Sequence, residues 1–239
     1  KDPYLISNGS QLALMLTSKA DDTKGKFFKI TKDIYLNDVT SSNWKNNNPN
    51  KWYSGKTFYG NLDGDCHIIY GVYFAEYNTG WSALIPIYEP TESGGYIKNL
   101  GLRDSQMIGD RSGGLIGKVN SGNGATIINC FVDDTVSLKG VYSEGGIISW
   151  ISGYYNVVVK NCYSKATFSG NASQGMGGLL GYFDFAGKDA PTEEEKLRFN
   201  DCYAITSDNV PVCFTGDATK LGAYFNDCYG NVSNEKYDY

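Results

Sequence analysis

The sequence predicts an all-β solenoid, a single-stranded parallel β-helix of about six coils with an N-terminal cap that contains a helix. Two kinds of short segment recur along the 239 residues at spacings of roughly 30, and repeats of this length are typical of solenoids. No long stretch between the recurrences has helical periodicity, which argues against alternating strands and helices. The 29 glycines and 19 tyrosines suit β-structure with many turns.

Residues 1–57 are interpreted as the N-terminal cap and residues 58–239 as one continuous β-helix. A solenoid needs its open end covered, because an open end exposes the core and a strand edge that can pair. Residues 25–36 are typical of strands. Segment 7–18 begins with Ser and Asn, which cap helices, and continues with apolar residues at helical spacing, Leu12, Met15 and Leu16.

The first recurring segment carries an Asn-Cys or Asp-Cys pair. The position before the Cys is always Gly, Asn or Asp, the residue types that tolerate a left-handed backbone. A one-residue bend there lets the Cys position and the large apolar residue three positions earlier both point inward. We expect the Cys row to be reduced. The inward row comprises Val72, Leu100, Cys130, Cys162, Cys202 and Cys228, and an outward aromatic row comprises Tyr73, Phe131, Tyr163, Tyr203 and Tyr229.

The second recurring segment begins with a Gly-Gly pair at residues 113, 145 and 177, at intervals of 32 residues. Degenerate copies begin at Ser82 and at Pro211, and the second copy places Cys213 in the core. Equal positions of successive coils stack about 4.8 Å apart in a parallel sheet. The glycines are therefore predicted to turn the corner of each coil, and the following aliphatic residues to fill its interior.

The repeats resemble the GLUG-type repeat of bacterial surface proteins. The resemblance rests on GGLIG (113–117) with TIINC (126–130), on GGLLG (177–181), and on FYGNLDGDCHIIYGV (58–72) preceded by FKITKDIYLND (28–38). It covers about residues 5 to 230. It implies a right-handed β-helix, export from the cell, and adhesin-like or binding roles in large cell-surface proteins. It implies no catalytic residues.

Composition excludes several classes of function. The net charge is −5 and no cluster of Lys or Arg occurs, so neither nucleic acid nor an anionic membrane surface is an expected partner. No apolar stretch reaches the length of a membrane span. His67 is the one histidine and no C-x-x-C pair is present, so no cofactor and no metal site are expected.

Three segments contain residue patterns that could form a metal, catalytic or interaction site, but each also has a structural explanation. Asp63, Asp65 and His67 alternate and could form a metal or acid–base site, although an Asp-Gly turn explains them more simply. Asp133 and Asp134 are adjacent on a strand and point to opposite faces, so they cannot act as a catalytic pair. Segment 186–196 is interpreted as a solvated excursion between coils, with an interaction loop as the alternative.

The long polar loop 41–56 carries the candidate ligand contacts. Trp44, Trp52 and Tyr53 are flanked by asparagines, so their rings can stack on sugars while the amides bind hydroxyl groups. Loops of this length often bind ligands, although the same rings could cover the core of the cap.

These observations favour a non-catalytic, adhesin-like binding module of a cell-surface or secreted protein. A neutral polysaccharide or a host or matrix protein is the expected partner, and neighbouring domains of a longer chain are expected as well. One alternative is a polysaccharide-degrading lyase or hydrolase on the same scaffold. Another is a purely structural stalk, because fold alone does not decide function.

Overall fold

Parallel strands wind into a β-solenoid of about five turns, close to the six coils predicted. The structure is a computed structural model, and it describes residues 2–53, 56–77, 80–120, 122–153, 156–185, 197–206 and 223–230. Every strand pairing among these residues is parallel, as stacked coils require. The pairings run from β1 with β2 at one end to β21 with β23 at the other.

The strands are short, as expected for coils that turn several corners. They are β1 Tyr4–Ile6, β2 Phe27–Ile30, β3 Ile34–Tyr35, β4 Thr57–Phe58, β5 Asn61–Tyr70, β6 Trp81–Ser82, β7 Ile85–Tyr88, β8 Tyr96–Arg103, β9 Gln106–Gly113, β10 Ile116–Asn120, β11 Ala125–Ile128, β12 Phe131–Val132, β13 Ser137–Gly145, β14 Ile148–Gly153, β15 Val157–Lys160, β16 Tyr163–Ser164, β17 Thr167–Phe168, β18 Gly175–Gly177, β19 Leu180–Phe185, β20 Leu197–Asn200, β21 Tyr203–Ala204, β22 Ala223–Asn226 and β23 Tyr229–Gly230.

Three sheets run along the solenoid. The first contains 13 strands, and its central strand β8 pairs with both β11 and β12, which lie on either side of a bend. The second has the order β19-β14-β10-β7-β4, and the third has the order β17-β13-β9-β6 with β18 also on β13. Gly-Gly corners separate the third sheet from the second.

The predicted bend before each aligned position is present. Asn99, Asn129, Asn161, Asp201 and Asp227 all have φ between 50° and 54°, which is the left-handed region. The amides also bond from coil to coil: Nδ2 of Asn129 donates to Oδ1 of Asn99 at 2.9 Å, and Nδ2 of Asn161 donates to Oδ1 of Asn129 at 3.2 Å. The same residue type therefore supplies the backbone conformation and a ladder of hydrogen bonds along the solenoid.

The four cysteines of the predicted inward row, Cys130, Cys162, Cys202 and Cys228, are buried. Each thiol lies near two backbone carbonyls, one on its own coil and one on the preceding coil. For Cys162 these are Lys160 O at 3.2 Å and Ile127 O at 3.6 Å. The repeat pattern does not predict these carbonyl partners. A serine in place of Cys162 would therefore have hydrogen-bond acceptors near its hydroxyl group.

The predicted outward aromatic row is confirmed for its central members. The rings of Phe131 and Tyr163 stack with centroids 5.1 Å apart, and those of Tyr163 and Tyr203 stack at 4.9 Å. Phe131 and Tyr163 are half-buried, and Tyr203 and Tyr229 are exposed. Because these rings face outward while the cysteines face inward, the bend lies at the predicted residue.

The register of the first coil differs from the prediction. Leu62 pairs with Ile97 and His67 with Leu100, so Val72 does not belong to the row of Leu100. The turn of this coil holds residues 64–66 where the next coil has Asn99 alone. Tyr73 consequently lies outside the aromatic stack and packs edge-on against Trp44 at 5.8 Å. The sequence alignment placed Gly71 in the same column as Asn99, because glycine also suits a left-handed bend, and Gly71 does have a positive φ of 75°. The spacing pattern therefore could not reveal the extra turn residues.

The Gly-Gly corners require glycine because the backbone of the next coil lies too close for a side chain. A Cβ on Gly114 would lie 2.1 Å from the carbonyl oxygen of Gly146, and one on Gly146 would lie 1.9 Å from that of Gly178. The backbone at these corners is not left-handed. The predicted register is confirmed, because Ile116 pairs with both Ile85 and Ile148.

The N-terminal segment begins with the expected helix, α1 at Gly9–Thr17. Asn8 caps it by accepting a hydrogen bond from Gln11 N at 2.9 Å. A second helix, α2, spans Ala20–Thr23, and a 3-10 helix spans Trp44–Asn46. Strands β1, β2 and β3 of this segment join the first sheet. The apolar side of α1 belongs to the core of the coils and consists of Leu12, Met15 and Leu16.

Two predicted features lie outside the described residues: the excursion 186–196, and Pro211 with Cys213. Of the helices that the structure describes, none has the length and apolarity needed to cross a lipid bilayer.

Candidate functional site

The three aromatic residues of the loop 41–56 differ in exposure. Trp44 is buried, and its ring lies against Tyr73. Trp52 is partly buried on the core, and its Nε1 donates to Leu84 O at 2.9 Å. Tyr53 is 60% exposed. The structure brings Trp52 and Tyr53 together, with ring centroids 6.2 Å apart, and of the three residues Tyr53 presents the most ring surface to a ligand.

The acidic side chains of the first coil are engaged in ion pairs. Asp63 lies 3.1 Å from Lys98 Nζ, and Asp65 lies 2.9 Å from Lys29 Nζ. Burial alone would raise the pKa of Asp63, but hydrogen bonds from Asp65 N and the Asn99 amide, together with Lys98, lower it overall. These contacts agree with the interpretation as a structural turn.

The remaining candidates for acid–base or metal chemistry are also occupied by neighbours. Nδ1 of His67 lies 3.2 Å from Oδ1 of Asp33, and Asp133 forms an ion pair with Arg103, whose Nε lies 2.7 Å from Oδ2. Within the described ranges, no group of three or more His, Cys, Asp or Glu side chains is arranged to hold a metal ion.

An apolar groove of about 380 Å³ lies between β1 and α1 at the N-terminal end. Tyr4, Leu5 and Leu14 line it and are 56%, 61% and 67% exposed. Among the strands of the described residues, β1 pairs with β2 alone.

A cluster of aromatic rings around one cation lies on the outer surface where the third sheet meets the second. We call it the aromatic face. It spans four successive coils, which corresponds to about 14 Å along the solenoid axis. It consists of Trp81 on β6, Arg111 on β9, Tyr142 on β13, Trp150 on β14 and Tyr182 on β19.

Strand register and a bulge assemble the aromatic face. Trp81 is the register partner of Arg111, and Trp150 is the partner of Tyr182. The register of β13 against β9 shifts between Gly140 and Ser143, which inserts one extra residue. Bulges of this kind redirect side chains and often lie next to functional sites. Here Tyr142 lies within the bulge and is 40% exposed.

The rings of the aromatic face are not stacked in parallel. Trp81 and Trp150 meet edge-to-face with centroids 5.7 Å apart, and Trp150 and Tyr182 are tilted by 49° at 4.3 Å. Trp150 is buried beneath its neighbours, whereas Trp81 and Tyr182 are partly exposed. The rings of Trp81, Tyr142 and Tyr182 are therefore accessible to solvent, and Trp150 lies buried among them.

Arg111 occupies the middle of this cluster. Its Cζ lies 4.9 Å from the ring centroids of both Trp81 and Tyr142 and 5.1 Å from that of Trp150. One lysine lies close to the edge of the cluster: Lys118 Nζ is 5.8 Å from the Trp81 ring. The face thus combines aromatic surface with two positive charges.

The sequence interpretation missed these residues because they come from separate coils and from both sides of a corner. One signal was available. The residue five positions after the first Gly of each Gly-Gly pair is Lys118, Trp150 or Tyr182, and the structure places all three in one outward column. No spacing rule indicated that Arg111 and Tyr142 would lie beside this column.

No protein-family model matches the chain, and no curated protein matches it. A solved structure described as a "putative immunoglobulin A1 protease" from Bacteroides ovatus is similar over 95% of this chain and 75% of that chain. The sequence identity is 15% and the TM-score is 0.48. At this level of similarity no activity and no residue role is transferred.

Proposed function

We propose that this solenoid is a non-catalytic binding module and that its aromatic face binds a glycan. The observation that carries the proposal is the cluster of partly exposed rings around Arg111, which joins four coils on one surface. Exposed aromatic rings provide rigid surface on which sugar rings stack, and they lose little conformational entropy on binding. The location we propose, secreted or on the cell surface, rests on the resemblance of the repeats to GLUG-type proteins.

The aromatic face differs from the other row of outward rings. Phe131, Tyr163 and Tyr203 form a parallel stack with interplanar angles of 7° and 8°, an arrangement that stiffens the solenoid. The rings of the aromatic face come from different columns and surround a cation. This contrast favours a binding role over that of a structural stalk.

Binding to a glycan array tests the proposal. We expect wild-type protein to bind at least one class of glycan, and Tyr142→Ala to weaken that binding by tenfold or more. Tyr203→Ala is the matched control, because Tyr203 is 37% exposed and Tyr142 40%. This control should bind as the wild type does, and circular dichroism should show that both variants are folded.

A second variant tests the loop predicted from the sequence. Tyr53→Ala removes the most exposed ring of the loop and is expected to leave binding unchanged. If binding survives Tyr142→Ala but is lost in Tyr53→Ala, the ligand contacts the loop and the proposed site is wrong. Absence of binding to every glycan would support a stalk, and turnover of any polysaccharide would support an enzyme; either result would overturn the proposal.

A further inference from the structure

Arg111 has one hydrogen-bond donor that the described part of the chain leaves unused. Its Nε is buried without a hydrogen-bond partner. No described carboxylate forms an ion pair with its guanidinium, and the adjacent Asp110 is not within 4.0 Å. Arg103 Nε also lacks a hydrogen-bond partner, but Arg103 differs in being ion-paired, with its Nε 2.7 Å from Asp133 Oδ2. A buried donor without a partner is costly, so such groups usually have a functional explanation.

The aromatic rings hold this guanidinium in place. Three rings lie within 5.1 Å of Cζ, and each cation–ring contact stabilises the charge while restricting the side chain. Arginine is charged at every accessible pH, and its planar donors match a carboxylate in a bidentate geometry. The guanidinium is therefore preorganised for an anion.

Two cations lie at the aromatic face. Arg111 is surrounded by its rings, Lys118 Nζ lies 5.8 Å from the Trp81 ring, and neither forms an ion pair with a described carboxylate. Charges more than about 10 Å away are largely screened at physiological salt. These two cations therefore favour an anion at this surface, although the whole chain carries −5.

We infer that the ligand of the aromatic face is an acidic polysaccharide, with a sugar carboxylate bound by Arg111 and sugar rings stacked on Trp81 and Tyr142. This inference rests on the proposed function and narrows it. It replaces the neutral polysaccharide expected from net charge with a carboxylated one. A glycan fits better than an acidic peptide, because the Trp81 and Tyr142 rings on either side of Arg111 offer flat surfaces for sugar rings.

Calorimetry with paired polysaccharides tests the inference. The probes are polygalacturonate, alginate and hyaluronan, each compared with its carboxyl-reduced form, which has the same length but no carboxylate. We expect wild-type protein to bind at least one acidic form at least tenfold more tightly than its reduced counterpart. That preference should decrease as salt is raised.

Two substitutions locate the charge that is responsible. Arg111→Gln should abolish the preference for the acidic form and leave the weaker binding of the reduced form, whereas Arg111→Lys should retain part of the preference. Lys165→Gln is the matched control, because Lys165 Nζ lies 5.8 Å from the Tyr163 ring in the other aromatic row. It should leave both affinities unchanged.

Three results would overturn the inference in distinguishable ways. Equal affinity of the wild type for the acidic and reduced forms of every pair would exclude a carboxylate contact while leaving glycan binding intact. Binding of poly-glutamate with the same dependence on Arg111 would indicate an acidic peptide partner. Absence of any glycan binding would remove the inference together with the proposed function.

Discussion

At the scale of single residues, the left-handed Asn or Asp at each bend determines which side chains are buried. Successive residues of a strand point to opposite faces, so Ile127 and Cys130 would alternate without a bend between them. With Asn129 at φ 54°, both are buried, with exposed fractions of 0% and 1%. Asn tolerates this conformation better than residues with larger or branched side chains.

Two substitutions at Asn161 separate the contribution of backbone conformation to stability from that of the side-chain hydrogen bond. Asn161→Ala should destabilise the fold by about 2 kcal/mol, because it adds left-handed strain to the loss of the bond to Asn129. Asn161→Gly loses the same bond without the strain, so it should cost less in urea unfolding. Equal costs for the two variants would show that the backbone conformation is not the reason for Asn here.

The buried cysteine row remains predicted to be reduced. Burial raises the pKa of the Cys162 thiol, and a buried thiol in apolar surroundings is unreactive. Pulsed alkylation followed by mass spectrometry should label the exposed Cys66 rapidly in the native protein and the row only after unfolding. Rapid native labelling of Cys130, Cys162 or Cys202 would contradict the inward assignment.

At the scale of the elements, the Gly-Gly corner is set by contact between successive coils. Gly146→Ala should destabilise the protein by about 3 kcal/mol or more, because the new Cβ meets a backbone oxygen at 1.9 Å. Gly122→Ala is the control, since no atom lies within 4 Å of its added Cβ. The control should change unfolding stability by at most about 0.5 kcal/mol. Similar costs would mean that the corners are not close-packed.

Strand β13 carries a buried acid at its bulge. Glu144 is fully buried; its Oε1 accepts from Gly140 N at 2.8 Å, and its Oε2 has no partner. Burial raises the pKa of this carboxyl to about 7, although hydrogen bonds from Gly140 and Gly170 and the charge of Lys139 oppose the shift. The folded state therefore favours the protonated acid.

This shift makes stability depend on pH. The unfolded pKa is near 4.5, so the stabilisation is complete below that pH and declines as pH rises to about 7, by about 3 kcal/mol in total. Glu144→Gln keeps the shape without the titration. The difference in unfolding free energy between the wild type and this variant should change over pH 4.5–7 and level off above it. A constant difference would refute the assignment.

At the scale of the whole molecule, the N-terminal helix closes one end of a core that is otherwise continuous from coil to coil. Leu12 on α1 is 1% exposed and belongs to the same apolar cluster as Phe58 and Leu62 of the coils. We therefore expect the helix to cover side chains that would otherwise meet water at the end of the solenoid.

Two leucines on this helix test its role as a cap. Leu12→Ala should lower the free energy of unfolding by about 2–5 kcal/mol, the usual range for a buried leucine. Leu14→Ala, at a position that is 67% exposed, should have little effect. Hydrogen exchange should show that Leu12→Ala reduces protection in β4 and β5 more than in β14. Uniform loss along the solenoid would mean that the helix is not a local cap.

The solenoid, the bend and the register of the coils from β8 onward are predictable from the amino-acid sequence alone. Each of these three follows from a position that recurs from coil to coil, and a parallel stack places recurring positions above one another. Helix α1 was predictable for a different reason, its capping residue and apolar spacing. Local chemistry at Asn8 and at the Asn-Cys pairs was sufficient to predict the helix and the bend.

The register of the first coil and the composition of the aromatic face became known from the three-dimensional structure alone. Extra residues at 64–66 shift the first coil, and nothing in a repeat pattern counts residues inside a turn. Trp81, Arg111 and Tyr142 meet across a corner and a bulge, so their contact depends on the shape of each coil rather than on spacing. The repeats of the sequence determine which residues stack along the axis. Which residues meet across a corner depends on how the whole chain packs.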